Sequence, residues 1–294
     1  MIPPRRIALS GGGMMGIAHV GVLEALEQKG LLKYVKEYVG TSAGALISFC
    51  ITIGYTLSEL RSLCSVLDFT QTQSLDIDSI LRFPDALGID NGKNVERFLG
   101  VLIRAKGFKE TITFEEFYTK RPNAPNLRVF TTNLDTLALE EFSRNTPRVP
   151  LTFAIRASMT IPFLFIPVRN PETGQLLVDG GLISNFPFHH LTDSERQETL
   201  GVSFNIKSAT EQITKYSLIQ FFVHCYLSVY KTHDRELFKK WSGRIIDIKC
   251  DDYIALDFNA SQEQKITIMN IGLNAAETYL RLPYPKPLRR YSMP

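Results

Sequence analysis

Apolar residues come in short clusters along the chain, and their spacing changes from one cluster to the next. Ile7 to Leu9 form a brief apolar run after Arg5 and Arg6 that ends in glycines, which predicts a first strand over residues 5–10. From 16 to 30 the apolar residues fall at Ile17, Val20, Leu23 and Leu26, the spacing of a helix face, and Gly30 is a natural stop. A second strand follows over 34–39 and a second helix over 43–53. The opening therefore reads strand, glycine loop, helix, strand, tight turn, helix. Such alternation predicts a parallel sheet covered by helices.

Farther on, the pattern predicts helices over 57–67 and 94–105. Thr113 with Glu116 forms a capping box for a short helix through Tyr118. The intervening stretch 69–91 contains Pro84 and Gly88 and reads as a loop with short helices, a candidate lid. Two strands are expected over 127–134 and 137–142, joined tightly at Asp135-Thr136, then a helix over 151–158 and a proline-bounded apolar run over 161–168. A strand over 175–178 runs into Asp179, and another covers 200–206. The remainder is helical in pattern over 217–229 and 261–282, the second with a capping box of Ser261 and Gln264. Four prolines after residue 282 predict an irregular tail over 283–294. Without a repeat or a clear linker, the expected division is a core over 1–210 with a helical extension over 211–294 packed on it.

Composition changes this picture little. The 294 residues are 44% apolar and 21% charged, which is globular. A net charge of +3 is too small to indicate nucleic acid. The opening apolar run is too short for a signal peptide, and no apolar window is long enough to span a bilayer. Cys50, Cys64, Cys225 and Cys250 are scattered through apolar stretches and read as buried free thiols, which fits a cytoplasmic compartment. Asp76 and Asp78 lack the glycine and distal glutamate of a calcium loop, so neither metal nor cofactor is expected.

Three motifs carry chemistry. Gly40-Thr41-Ser42-Ala43-Gly44 is a G-x-S-x-G pattern between an expected strand and an expected helix. The glycines leave room for a sharp turn that pushes the serine oxygen out, at the positive end of the helix that follows. Gly11-Gly12-Gly13 opens the first helix, where backbone N–H groups can face a ligand oxygen. With Gly16 these residues also fit the dinucleotide pattern G-x-G-x-x-G. That reading wants an acidic residue at the end of the second strand, and Glu37 falls inside the strand instead. Asp179-Gly180-Gly181 ends a third strand, where it could be an ordinary turn or could bring Ser42 a base. A histidine base remains an alternative, since His189 and His190 would complete a Ser-Asp-His order. Against it, Ser42 follows only the second strand. A serine–aspartate pair is therefore preferred.

These motifs, with Ile155 to Phe163 and with Asn185 and Pro187 behind Asp179, resemble the patatin-like phospholipases over residues 5–206. The resemblance implies an α/β fold, a three-layer α/β/α sandwich with a mainly parallel sheet. It implies lipid acyl-ester hydrolysis by a serine–aspartate dyad without a metal. Ser42 would be the nucleophile, Asp179 the base, and Gly11, Gly12 and Gly13 the oxyanion hole, with Gly16, Gly40, Gly44, Gly180 and Gly181 supporting the turns. The expected partner is a lipid acyl ester, met in transient contact with a membrane or lipid-droplet surface. A non-catalytic lipid-binding scaffold of the same fold is the alternative, ahead of a nucleotide-binding module. Met15 stands where the family usually has a cation, which predicts a weak preference for acidic head groups. The run over 161–168, with Phe163, Leu164, Phe165 and Ile166, is a candidate wall for the acyl chain, although a buried strand is the plainer reading. The segment 217–230 reads as a packed helix rather than a membrane-docking one, and the basic tail as solvated.

Overall fold

The computed structural model describes residues 3–68, 70, 83–205, 221, 237–249 and 259–282. Its strands are β1 (Arg6–Leu9), β2 (Glu37–Thr41), β3 (Gly88–Asp90), β4 (Asn126–Asn133), β5 (Ala138–Phe142), β6 (Phe163–Phe165), β7 (Val168–Arg169), β8 (Leu176–Asp179), β9 (Thr199–Asn205) and β10 (Ile245–Lys249). The helices are α1 (Ala18–Gln28), α2 (Ala43–Ile53), α3 (Leu57–Val66), α4 (Phe83–Ala86), α5 (Lys93–Ala105), α6 (Phe114–Lys120), α7 (Leu151–Ser158), α8 (Gly181–Ser184), α9 (Asp193–Glu198) and α10 (Gln262–Arg281).

The main sheet runs β10-β9-β1-β2-β4. Those contacts are all parallel, while β5 and β8 both pair antiparallel with β4, and β7 pairs with β8. Side chains alternate across it, as the pleat requires. Ile7 and Leu9 face one apolar core and Ala8 the other; Tyr38 and Val129 face the first, Val39 and Phe130 the second. Helices α1, α2, α3, α5, α7 and α10 cover the first face. Phe186, Phe188, Leu191 and Trp241 cover the second. This is the expected three-layer α/β/α sandwich, with a mixed sheet.

Several expectations shift in detail. The first helix begins as a 3-10 turn over Gly13–Ile17, and Gly30 ends that region in the left-handed conformation. The second strand starts later than expected because Leu32–Tyr34 forms a 3-10 turn. The apolar run over 161–168 is not one strand. It holds β6, which opens at Phe163 with φ +66° and pairs with β3 in a separate two-stranded sheet, and β7, parted from β6 by Ile166 and Pro167. Strand β10 had no counterpart in the sequence reading, yet it continues the main sheet beyond β9. The lid segment lies outside the described residues except for α4, β3 and their neighbours. The expected helix over 217–229, all but residue 221, and the tail lie outside them altogether.

Candidate active site

Ser42 sits between β2 and α2 with φ +53° and ψ −122°, a conformation that side chains other than glycine seldom adopt. The flanking sequence imposes it. A Cβ at Gly40 would lie 2.5 Å from the Ala45 nitrogen, and one at Gly44 would lie 2.3 Å from the Leu9 carbonyl oxygen. Only hydrogen fits at either place, so α2 starts hard against the ends of β1 and β2. The Ser42 N–H donates to Ser158 Oγ (2.9 Å), whose hydroxyl donates to the Phe130 carbonyl (2.6 Å). Helix α7 thus ties the serine to β4.

The register of β4 brings Asp179 to the same spot. Strands β2 and β5 both pair with β4 at Val129 and Phe130, so they lie on opposite sides of it. By the same logic at Thr131 to Asn133, β8 lies opposite β5, on the β2 side. There Thr41 pairs with Phe130 and Asp179 with Thr131. Strands β2 and β8 therefore meet end to end beside β4, one residue step of about 3.4 Å apart. The two motifs abut although they are distant in sequence.

Asp179 is 6% exposed and Ser42 7%. The Asp179 N–H donates to the Thr160 carbonyl (2.7 Å), and its Oδ1 accepts the Gly181 N–H (2.7 Å). The other oxygen, Oδ2, is buried with no hydrogen-bond partner among the described residues. Burial pushes the carboxyl pKa up to about 7, against the Ser42 hydroxyl and the Gly181 amide, which pull it down. The hydroxyl is thus near enough to act on the carboxyl without being in hydrogen-bond geometry with Oδ2. Among the described residues no histidine acts on Asp179. His190 lies against the Phe130 ring and His189 against Phe186.

The glycine loop lies beside Ser42, and Gly11 departs from its expected role. A Cβ at Gly11 would fall 3.3 Å from the Ser42 Cβ, so the loop borders the serine. However, the Gly11 N–H donates to the Asn185 carbonyl (2.9 Å), and Asn185 Nδ2 donates to the Gly11 carbonyl (3.1 Å). Gly11 is clamped and cannot offer its amide to an oxyanion. The N–H groups of Gly12 and Gly13 make no hydrogen bond among the described residues. His19 supports the loop from below, Nε2 donating to the Ser10 carbonyl (2.8 Å); burial holds its pKa down near 4, so the ring is neutral. Asn185 lies in the motif behind Asp179, and neither its clamp on Gly11 nor the support from His19 has a signal in the sequence.

Arg156, only 2% exposed, was also missed. Its Nη1 donates to Thr160 Oγ1 (2.6 Å), and the same threonine's carbonyl holds the Asp179 amide. Met15 is 1% exposed within the core, so that position does not face a head group, and the expectation built on its missing charge lapses. Glu37 is the first residue of β2 and pairs with Arg6 and Arg128, which removes the carboxylate a dinucleotide ribose would need. Among the described residues no group of three His, Cys, Asp or Glu side chains could hold a metal, and no helix is long and apolar enough to cross a membrane.

An apolar cavity opens beside Ser42, between α2, α3 and α5. Leu46 and Cys50, Leu60 and Cys64, and Val95 and Phe98 are among its lining. Of the expected acyl-chain wall, Ile161 and Phe165 line it. The other walls come from helix faces whose spacing also suits plain core packing, and periodicity cannot separate the two.

The site thus joins a serine on a strained strand-to-helix turn, a buried carboxylate at the end of the neighbouring strand and a glycine loop that borders the serine, all on an α/β/α sandwich. The family model for patatin-like phospholipase matches residues 7–192, which takes in every one of these groups, and the chain belongs to that family. It is 30% identical over 292 residues to the uncharacterized protein YqhO of Bacillus subtilis, covering 92% of this chain and 96% of that one. It is 24% identical over 269 residues to the probable lipid hydrolase 463L of Invertebrate iridescent virus 6, covering 91% of this chain and 86% of that one. Among solved structures, VipD from Legionella pneumophila superposes with a TM-score of 0.59 at 18% identity, over 95% of this chain and 67% of VipD. ExoU from Pseudomonas aeruginosa gives 0.57 at 19%, over 95% of this chain and 53% of ExoU, so the chain spans about half of that protein. Both likenesses are of fold.

Proposed function

We propose that this protein hydrolyses lipid acyl esters through an acyl-serine intermediate, with Ser42 as nucleophile and Asp179 as base. The single observation that carries the reading is the end-to-end meeting of β2 and β8, which sets a buried carboxylate of raised pKa against a strained serine. Family membership and the likeness to a probable lipid hydrolase support the lipid class of substrate.

The Ser42 oxygen attacks the ester carbon while its proton passes to Asp179. The Gly12 and Gly13 N–H groups hold the carbonyl oxygen as it gains charge; one such donor is worth about 3 kcal/mol of barrier. The C–O bond to the alcohol breaks, and Asp179 returns the proton to the departing alkoxide. Water then attacks the acyl-serine, again giving its proton to Asp179, and the fatty acid leaves as the proton goes back to Ser42. A carboxylate of ordinary pKa is a weak base for an alcohol, and the shift to about 7 narrows that gap. The acyl chain lies in the apolar cavity beside Ser42. Contact with the lipid surface is peripheral and transient.

The test is fatty acid release from phospholipid and neutral-lipid vesicles. Asp179→Asn, which keeps the shape but cannot accept a proton, is expected to lose about 10²–10⁴-fold in kcat. Ser42→Ala is expected to abolish both release and labelling by a fluorophosphonate. A wild type that neither labels nor releases fatty acid would favour a non-catalytic lipid-binding scaffold.

A further inference from the structure

The lining of the cavity beside Ser42 gives its extent along α2. Its lining on that helix runs from Ser42 through Leu46 to Cys50, and Cys50 is the last α2 residue to line it. Eight helical steps of 1.5 Å put Cys50 about 12 Å beyond the nucleophile. Across from Cys50 stand Leu60 and Cys64 of α3, which are buried, as Cys50 is. Cys64 is close enough to Cys50 to push its thiol pKa up further than burial alone does.

The volume open to the centre of a water-sized sphere is about 90 Å³. Spread over about 12 Å, it leaves the sphere's centre a path of about 1.5 Å radius, hence a bore of about 3 Å radius. Carbon atoms pack 3.5–4.0 Å apart, so a bore of that radius takes one hydrocarbon chain and not two abreast. A fully staggered chain advances about 1.3 Å per carbon.

We propose that this cavity is a length gauge. It takes a single unbranched acyl chain, and Cys50 at its far end sets the preferred length at about ten carbons. The substrates are thereby medium-chain acyl esters. Longer chains must leave part of their length outside or force α3 away from α2. The gauge rests on the proposed acyl-serine reading, because it places the chain's first carbon at Ser42.

The experiment uses the full-chain protein and n-alkyl fluorophosphonates with methyl, hexyl, octyl, decyl, dodecyl and hexadecyl chains. Labelling is followed by intact mass. The Ser42 Oγ–P bond forms, the P–F bond breaks, and the serine proton passes to Asp179 as fluoride leaves. The second-order rate is expected to rise up to about fourfold per methylene through decyl, the equivalent of about 0.8 kcal/mol per buried methylene. It is then expected to fall at least tenfold by hexadecyl. Cys50→Leu should move the fastest reagent to octyl, and Cys50→Ala should move it to dodecyl. A rate that keeps rising through hexadecyl, or an optimum that both variants leave in place, overturns the gauge. The methyl reagent separates the two ideas, since failure to label Ser42 with it refutes the nucleophile itself. The cavity is then read without chemistry, by thermal shift of Ser42→Ala with octanoate, decanoate and palmitate. The largest shift with decanoate supports the gauge, and an equal or larger one with palmitate refutes it.

Discussion

At the scale of single residues, the site's behaviour hangs on one carboxyl. In the proposed mechanism Asp179 has to be ionised to act as base, and burial holds its pKa near 7. Ester hydrolysis, measured as kcat/KM, should therefore fall about tenfold per pH unit below pH 7 and level off above it. The same shift has a stability consequence of opposite sense. The folded pKa of about 7 exceeds the ordinary 3.8, so between those values the folded protein holds a proton that the unfolded chain has lost. Its contribution is present below pH 3.8 and is lost as pH rises through 7. Asp179→Asn should then be more stable than the wild type at pH 8, by on the order of 4 kcal/mol, with the gap closing toward pH 4 in denaturant titrations. Equal stability of the two at pH 8 would refute the buried charge. Ser42 and Asp179 were legible in the sequence because each lies in a local motif. The clamp on Gly11 was not, since the Asn185 bonds depend on how the end of α8 meets the loop after β1. Asn185→Ala keeps the backbone bond and loses only the Nδ2 one. It should lower kcat about tenfold by loosening the loop amides, a fraction of what losing a donor outright costs, with KM little changed in steady-state assays.

At the scale of elements, the elbow depends on how closely helix α2 approaches strand β1. Gly44 has no room for a methyl group, because its Cβ would sit 2.3 Å from the Leu9 carbonyl oxygen and 2.6 Å from that of Ser10. Backbone cannot step aside as a flexible side chain can. Gly44→Ala should cost about 1–3 kcal/mol in thermal or denaturant unfolding and should lower activity as well, because the shift carries Ser42 with it. Full activity at unchanged stability would refute the close approach. Elements of this kind were largely readable. The helix over Leu151–Ser158 lies where its pattern placed it, and the boxes at Thr113 and Ser261 cap the helices they were read to cap. Two more boxes, Thr56 with Glu59 and Thr192 with Glu195, went unread although they follow the same rule. The apolar run over 161–168 misled for a physical reason. Continuous apolar residues signal burial, not continuity of a strand, and the passage from the small sheet to the main one between Phe165 and Val168 leaves no trace in hydrophobic spacing.

At the scale of the whole molecule, two described elements beyond residue 210, β10 and α10, are built into the layers that hold the site. Strand β10 pairs in register with β9 along the sheet that carries β1 and β2. Five residues of mixed polarity, Ile245 to Lys249, gave too weak a signal to announce an edge strand. Helix α10 lies against α1 at backbone distance. A Cβ at Gly272 would fall 2.0 Å from the Ala18 carbonyl oxygen, and one at Gly21 would fall 1.8 Å from that of Met269. Each helix thus uses a glycine to admit the other, a pairing that no pattern within either segment could reveal. Since α1 continues directly from the 3-10 turn that begins at Gly13, the seat of α10 also sets where the loop amides point. Gly272→Val should push α10 off α1 and cost about 1–3 kcal/mol in unfolding. It should also lower kcat for ester hydrolysis while leaving the Asp179 limb of the pH profile near 7, because Asp179 is held from β4 and Thr160 on the other side of the serine. A variant that loses stability and keeps its full kcat would mean that the C-terminal helix only braces the fold. A loss of kcat with the pH limb in place would mean that it aims the amides facing Ser42.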